Sequence, residues 1–288
     1  MVSIIIPTYN EEKSIVKAIK SILCQISKKD EIIVVASGCS DNTIPNIKKI
    51  KDKRIKLIIE KERKGKASAL NLGIKKAKSD VIIQTDGDVE VSKKAINLLI
   101  KHFKDENVGA VSGNPIPLIP KNNLFYDWTM MSYQKIREIR ENEIKSGNFN
   151  VHLSGYLLAF RKKALKKIPF KKGAVDAEMG RIIKKKGYKL TYEPNAWVYV
   201  KAPLNIRDFI NQKARVRAGY ASMDSGQPRT MRSEIFYLPR EILKVPIGRL
   251  HKFLFSGIIY TYTWFKGKWL TYSNKSLNEV WKTPKSTK

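Results

Sequence analysis

The chain has 288 residues, is 42% hydrophobic, and sets 56 lysines and arginines against 26 acids for a formal net charge of +30. The apolar share builds a proper core and excludes wholesale disorder, and the length suits one large α/β domain or a domain with an appended module. The charge favours anionic partners (nucleic acid, an acidic membrane surface or phosphorylated substrates) without choosing among them, and a Lys- and Ile-rich chain also fits a thermophilic host.

Two cysteines, Cys24 and Cys39, make neither a disulfide framework nor a close metal-type pair, which points to a reducing compartment. Met1-Val-Ser-Ile-Ile-Ile-Pro enters a strand directly and lacks the pattern of a signal peptide. No uninterrupted apolar run approaches the roughly 18 residues needed to span a bilayer. The expected location is cytoplasmic, with any membrane contact peripheral on the cytoplasmic face.

Val2 to Ile6 is an almost wholly apolar strand, of the kind buried on both faces of a parallel sheet, and it ends at Pro7-Thr8-Tyr9-Asn10-Glu11. Apolar residues at 15, 18, 19, 22 and 23 mark an amphipathic helix. Glu31 to Ala36 reads as a second strand, Ser37 to Thr43 as a loop and cap, Ile44 to Ile50 as a helix, and Ile55 to Ile59 as a third strand. A helix from Lys66, apolar at 67, 70, 74 and 77, then leads into the strand Val81-Ile82-Ile83. Strand and helix alternating through short loops predict a mostly parallel α/β sheet covered on both faces.

The carboxyl edge of that sheet collects Thr8 to Glu11, Ser37 to Asp41, and Asp86 with Asp88. Open α/β sheets bind ligands at this edge. Asp86-Gly87-Asp88 puts two carboxylates around a glycine that lets the backbone turn sharply, so both can face one small volume. A hard divalent cation held by oxygens and substrate phosphates would neutralise them there. Taken alone, the tripeptide reads equally as a solvated turn.

Four motifs in register, Pro7-Thr-Tyr-Asn-Glu11, Ser37-Gly-Cys-Ser-Asp-Asn-Thr43, Gly65-Lys66-Ala67 with Ala69-Leu70-Asn71, and Asp86-Gly87-Asp88, resemble the nucleotide-sugar half of a family 2 glycosyltransferase with the GT-A fold. The resemblance covers about residues 1–220. It implies that Pro7, Thr8, Tyr9 and Glu11 border the nucleoside of the donor. It sets Lys66 near the diphosphate, Asp86 near the ribose and the metal, and Asp88 as principal ligand of Mg2+ or Mn2+. Many relatives carry an acid that contacts uracil where this chain has Ala36-Ser37-Gly38-Cys39. The Ser37 hydroxyl could still accept a hydrogen bond, which leaves the nucleobase open, with a UDP-sugar favoured.

Residues 108–118 read as a strand leaving the sheet through a Gly/Pro-punctuated bend, and Leu124 to Lys145 as a long helix whose Trp128, Met130, Met131 and Tyr133 belong to the core. His152-Leu-Ser154-Gly155-Tyr resembles the family's acceptor-side segment, Gly155 permitting close backbone approach. Val175-Asp176 resembles the Glu-Asp motif that opens a helix in these enzymes, with Asp176 in the position of the catalytic base of an inverting transfer. An Asp there also serves simply as a helix cap. After the strand from Pro194 to Pro203, Gln212, Arg215, Val216 and Arg217 resemble the Gln-x-x-Arg-Trp motif of the cellulose- and hyaluronan-synthase branch. Gln212, Arg215 and Arg217 are thereby implied near the acceptor and diphosphate. Val216 stands in the Trp position, which favours single-sugar transfer over a processive polymerase.

The sequence thus divides into a GT-A domain at 1–220 and a basic, aromatic-rich helical extension at 221–288, cut into short helices by Pro239 and Pro246. Its composition suits either a membrane headgroup region or packing on the sheet. The expected function is metal-dependent, inverting transfer of one sugar from a nucleotide-sugar to a glycan or polyprenyl-phosphate-linked acceptor, in cell-envelope or protein glycosylation. The alternatives are a processive polysaccharide synthase-like enzyme and a non-catalytic basic protein binding nucleic acid or membrane. No zinc, RNA-recognition or basic-zipper pattern supports a specific nucleic-acid partner.

Overall fold

A computed structural model describes residues 1–169, 174–221 and 238–272. The strands are β1 (Ser3–Thr8), β2 (Glu31–Ser37), β3 (Ile55–Glu60), β4 (Val81–Thr85), β5 (Val89–Val91), β6 (Val108–Leu118), β7 (Leu157–Arg161) and β8 (Lys189–Lys201). The helices are α1 (Ile15–Leu23), α2 (Thr43–Lys48), α3 (Lys66–Lys76), α4 (Ala95–Lys101), α5 (Tyr126–Lys145), α6 (Val175–Lys185), α7 (Ile206–Ala221) and α8 (Ile247–Tyr272).

All eight strands form one sheet in the order β3-β2-β1-β4-β7-β6-β8-β5. The βαβ units make the first four neighbours parallel, as the alternating pattern predicts. Beyond β4 the sheet is mixed: β7 runs antiparallel to both β4 and β6, β8 is parallel to β6, and β5 is antiparallel to β8. The apolar strands are buried on both faces because each face carries a helical layer. Ile4 and Ile6 pack with Ile15, Ile19 and Ile22 of α1, while Ile5 between them packs with Leu70 and Ile74 of α3.

Two elements differ from the sequence reading. Instead of bending away at its prolines, β6 stays paired with β8 through Leu118, with register irregularities after Val108 and after Ser112. Pro115 and Pro117 are tolerated because pairing with β7 ends at Ser112, which leaves an open edge where an N–H is not required. In the extension, Pro246 precedes one continuous 26-residue helix and not a set of short ones. Proline ahead of the first helical turn removes an N–H that has no partner inside the helix.

A third cluster joins Phe125 and Trp128 at the start of α5, Phe209 of α7, and Phe253, Ile259 and Tyr260 of α8. Phe125 and Phe209 stack with ring centroids 4.0 Å apart. Trp128 is buried as expected, whereas Met130 is exposed. Residues 222–237 and 273–288 of the predicted extension lie outside the described residues.

Candidate active site

β4 ends at Thr85 in the middle of the sheet, and Asp86-Gly87-Asp88 carries the chain from it into β5 at the sheet edge. Gly87 is required here for a reason other than a sharp turn, since its φ lies outside the left-handed region. A Cβ at this position would stand 2.8 Å from Thr8 Oγ1 and 3.2 Å from Ile15 Cδ1, so the glycine lets the acidic segment lie directly on the end of β1. The Thr8 hydroxyl is buried there without a hydrogen-bond partner among the described residues.

α3 begins after Gly65, whose φ of 90° suits glycine alone, and this start brings Lys66 to the acids. Lys66 Nζ lies 2.5 Å from Asp86 Oδ1 and 3.4 Å from the Gly155 carbonyl oxygen. Asp88 makes the second carboxylate. Burial, followed by the neighbouring charge of Asp86, pushes its pKa up to about 6. Two carboxylates that resist ionising together are a ready cation site. Among the described residues no group of three or more His, Cys, Asp and Glu gathers for a metal. The donor set therefore fits a hard cation that completes its shell with phosphate oxygens and water, of the Mg2+ or Mn2+ type.

Gly155 connects this edge to Asp176. Its carbonyl accepts from Lys66 and from Gln84 Nε2 at 3.0 Å, while its N–H donates to Asp176 Oδ2 at 3.0 Å. Asp176 sits in the first turn of α6, with Oδ1 accepting the Ala177 N–H at 3.1 Å. Ser154 is buried beside it and donates its own N–H to Ser112 Oγ at 3.1 Å.

α7 brings Arg215 to the same edge. Burial lowers its pKa, and it lies within electrostatic reach of Tyr156, Asp88, Arg63 and Asp86. Gln212 precedes it by one helical turn and is half-buried. Arg217 corrects the sequence expectation. It is 7% exposed, with its guanidinium 4.3 Å from the Tyr260 ring centroid and 4.1 Å from that of Trp264, inside the α7–α8 interface. Two helical positions turn a side chain by about 200°, so Arg215 and Arg217 cannot share a face.

The remaining nucleoside-side residues lie at the ends of β1 and β2. Pro7 is within β1, opposite Val35. The Arg63 guanidinium lies 4.0 Å over the Tyr9 ring. Glu11 is buried at the start of α1, its Oε2 accepting from Ser14 Oγ at 3.2 Å. Ser37 is also buried, and its hydroxyl is engaged by the 62–64 loop, donating to the Glu62 carbonyl and accepting the Lys64 N–H.

Several groups at this site escaped the sequence reading. Tyr133, assigned to the core, hydrogen-bonds Tyr156 beside Asp88, and burial raises its pKa to about 12. Tyr156 is raised well above the usual tyrosine value, first by Tyr133 and then by burial. Behind Asp176, buried Arg140 donates from Nε to the His152 carbonyl at 3.0 Å and faces Asp176 electrostatically. Gln84 is fully buried in β4, where alternation alone would place an apolar residue. That break in an apolar strand was the one signal available for it.

Comparison with known proteins agrees with this arrangement. The chain is 30% identical over 224 residues to poly-beta-1,6-N-acetyl-D-glucosamine synthase of Staphylococcus aureus (strain COL), an alignment covering 76% of this chain and 54% of that protein. The Staphylococcus epidermidis synthase is 29% identical over the same length. The chain thus spans about half the length of these curated relatives. Among solved structures, the mannosyltransferase PcManGT of Pyrobaculum calidifontis, in complex with GDP-Man and Mn2+, superposes with a TM-score of 0.67 at 19% identity, covering 96% of this chain and 88% of that one. S. aureus TarS 1-349 in complex with UDP-GlcNAc gives 0.53 at 17%, over 95% and 74%. At these identities the two structures establish a shared GT-A fold. Residues 3–169 match the profile of Glycosyl transferase family 2, and with this site at the carboxyl edge of its sheet the chain belongs to that family of glycosyltransferases.

Proposed function

We propose that the enzyme transfers a single sugar, with inversion, from a nucleotide-sugar to a hydroxyl or phosphate oxygen of a glycan or polyprenyl-phosphate-linked acceptor. The observation that carries this reading is the position of Gly155, whose N–H holds Asp176 while its carbonyl meets Lys66, the partner of Asp86. A proton acceptor and a cationic phosphate site are thereby one residue apart.

Asp176 acts as the base. Its carboxylate takes the proton from the acceptor as the acceptor oxygen attacks the anomeric carbon, and the two backbone N–H groups bonded to Asp176 fix its orientation. The sugar–phosphate bond breaks on the opposite side, and its electron pair leaves with the nucleoside diphosphate. Lys66 and Arg215 neutralise that leaving group, with Lys66 exchanging Asp86 for a phosphate oxygen. Asp86 and Asp88 would hold Mg2+ or Mn2+, which supplies Lewis-acid stabilisation of the departing diphosphate.

The Tyr9 ring, covered by Arg63, provides the surface beside which the nucleobase is read. With a serine and no acid at position 37, the base is settled by experiment, and a UDP-sugar is the leading donor. PcManGT is described with GDP-Man and TarS with UDP-GlcNAc, so the fold accommodates either nucleotide. The test is calorimetric titration of UDP and GDP, each with and without Mn2+. Metal-dependent binding of one nucleotide supports the donor site; binding of neither removes it. A processive synthase remains the second reading, favoured by the synthases among the curated relatives and opposed by Val216, exposed on α7, in the Trp position.

A further inference from the structure

Helix α8 has two apolar faces. At about 100° per residue, Phe253, Ile259, Tyr260 and Thr263 share one side, and all are buried against α5 and α7. Leu254, Phe255, Ile258, Tyr262, Phe265 and Tyr272 share the opposite side and are exposed, Ile258 by 69% and Phe265 by 65%. The exposed row begins just before the helix, with Leu243 at 87%, and continues through Ile247 at 91%. It then follows α8 along its 26 residues, about 39 Å. Soluble surfaces scatter single apolar side chains and do not ordinarily align them over such a length.

The chemistry of this row identifies its occupant. Aromatic and aliphatic side chains occupy the crest, while Lys252, Lys266 and Lys268 lie on the flanks. That arrangement suits the headgroup boundary, where rings and aliphatic side chains enter the acyl region and ammonium groups remain with phosphates. Among the described residues no helix is long and apolar enough to cross a membrane, so a bilayer would be met from the side. Pairing of the row with a second copy would bring together two molecules of net charge +30, which repel each other and are both drawn to an anionic surface.

We propose that the exposed face of α8 docks the enzyme on anionic bilayers, with the helix lying along the surface. Arg217 sandwiched between Tyr260 and Trp264 locks α8 to α7, and α7 carries Arg215 at the acidic edge. Docking therefore holds the active-site edge at a fixed height above the lipid, where an acceptor on a lipid carrier would be presented. The inference stands on α8 alone and does not depend on the donor or the base proposed above.

Flotation with vesicles of phosphatidylcholine containing phosphatidylglycerol, against phosphatidylcholine alone, tests it. The expected result is binding to the anionic vesicles that is weakened at least about tenfold by Phe255→Asp, Ile258→Asp and Phe265→Asp together. These side chains are exposed, so circular dichroism and nucleotide binding should be unchanged. A second variant, Phe255→Leu with Phe265→Leu, should retain most of the binding. Three results would overturn the proposal: no binding of the unaltered chain, binding of the triple variant equal to it (adsorption through charge only), or a concentration-dependent dimer that the triple variant abolishes.

Discussion

Gly155 and Asp176 are joined by a 3.0 Å hydrogen bond from the glycine N–H to Oδ2, and a Cβ on Gly155 would stand 3.5 Å from that oxygen and 3.2 Å from Lys66 Nζ. The backbone at 155 is open to any residue, since its φ is not left-handed. Gly155→Ala should therefore fold with a melting temperature close to that of the unaltered chain. The added methyl displaces the ends of Lys66 and Asp176 by a few tenths of an ångström, and transfer should slow by roughly tenfold to a hundredfold. Parallel thermal melts and initial rates separate the two effects. A lowered melting temperature with an unchanged rate would place Gly155 in the scaffold and not in the site.

Asp88→Asn and Asp176→Asn should fail in different ways. The first removes a carboxylate from the cation site, so nucleotide binding measured with Mn2+ should fall to the level measured without it. The second leaves Lys66, Asp86 and Asp88 in place, so nucleotide binding should persist while transfer drops by about 10²–10⁴. Calorimetry on both variants, with a transfer assay on the second, distinguishes the roles. Near-normal turnover in Asp176→Asn would remove the base assignment.

The raised pKa of Asp88, about 6 against an ordinary carboxylate value of 3.8, has a definite sign in stability. The folded state binds this proton more tightly than the unfolded state does. Its contribution is fully present below about pH 4 and is lost as pH rises through about 6. Without divalent metal, the melting temperature should thus lose this contribution across that window, and Asp88→Asn should flatten the loss. A cation binds the ionised form, so the thermal shift produced by Mn2+ should be larger at pH 7 than at pH 5. An equal shift at both values would place the cation elsewhere.

How much of this was legible in the sequence follows from which interactions are local. The buried strands β1, β2 and β4 are apolar because both faces are covered, and α1 shows its buried face in Ile15, Ala18, Ile19 and Ile22, so periodicity located them. Asp86 and Asp88 were visible as acids at a strand end. What escaped depends on partners far away in the chain. Gln84 is held by Gly155, 71 residues on, and Tyr133 belongs to the site only because α5 passes Tyr156. Arg140 lies in a helix crowded with Lys, Arg and Glu, where nothing in the sequence separates a buried arginine from its solvated neighbours. Arg217 was misplaced because its partners, Tyr260 and Trp264, come from a helix more than 40 residues later.

That placement sets Arg215 and Arg217 apart experimentally. Arg215 faces the acids where the diphosphate would leave, and Arg215→Lys should weaken nucleotide binding or slow transfer by about tenfold with little change in melting temperature. Arg217→Lys loses a planar cation between two rings, costing about 1–2 kcal/mol of stability, and should leave nucleotide affinity unchanged. Denaturant unfolding paired with nucleotide titration reads both quantities on both variants. A loss of nucleotide affinity in Arg217→Lys at unchanged stability would return Arg217 to the diphosphate and require α7 to turn on its axis when donor binds.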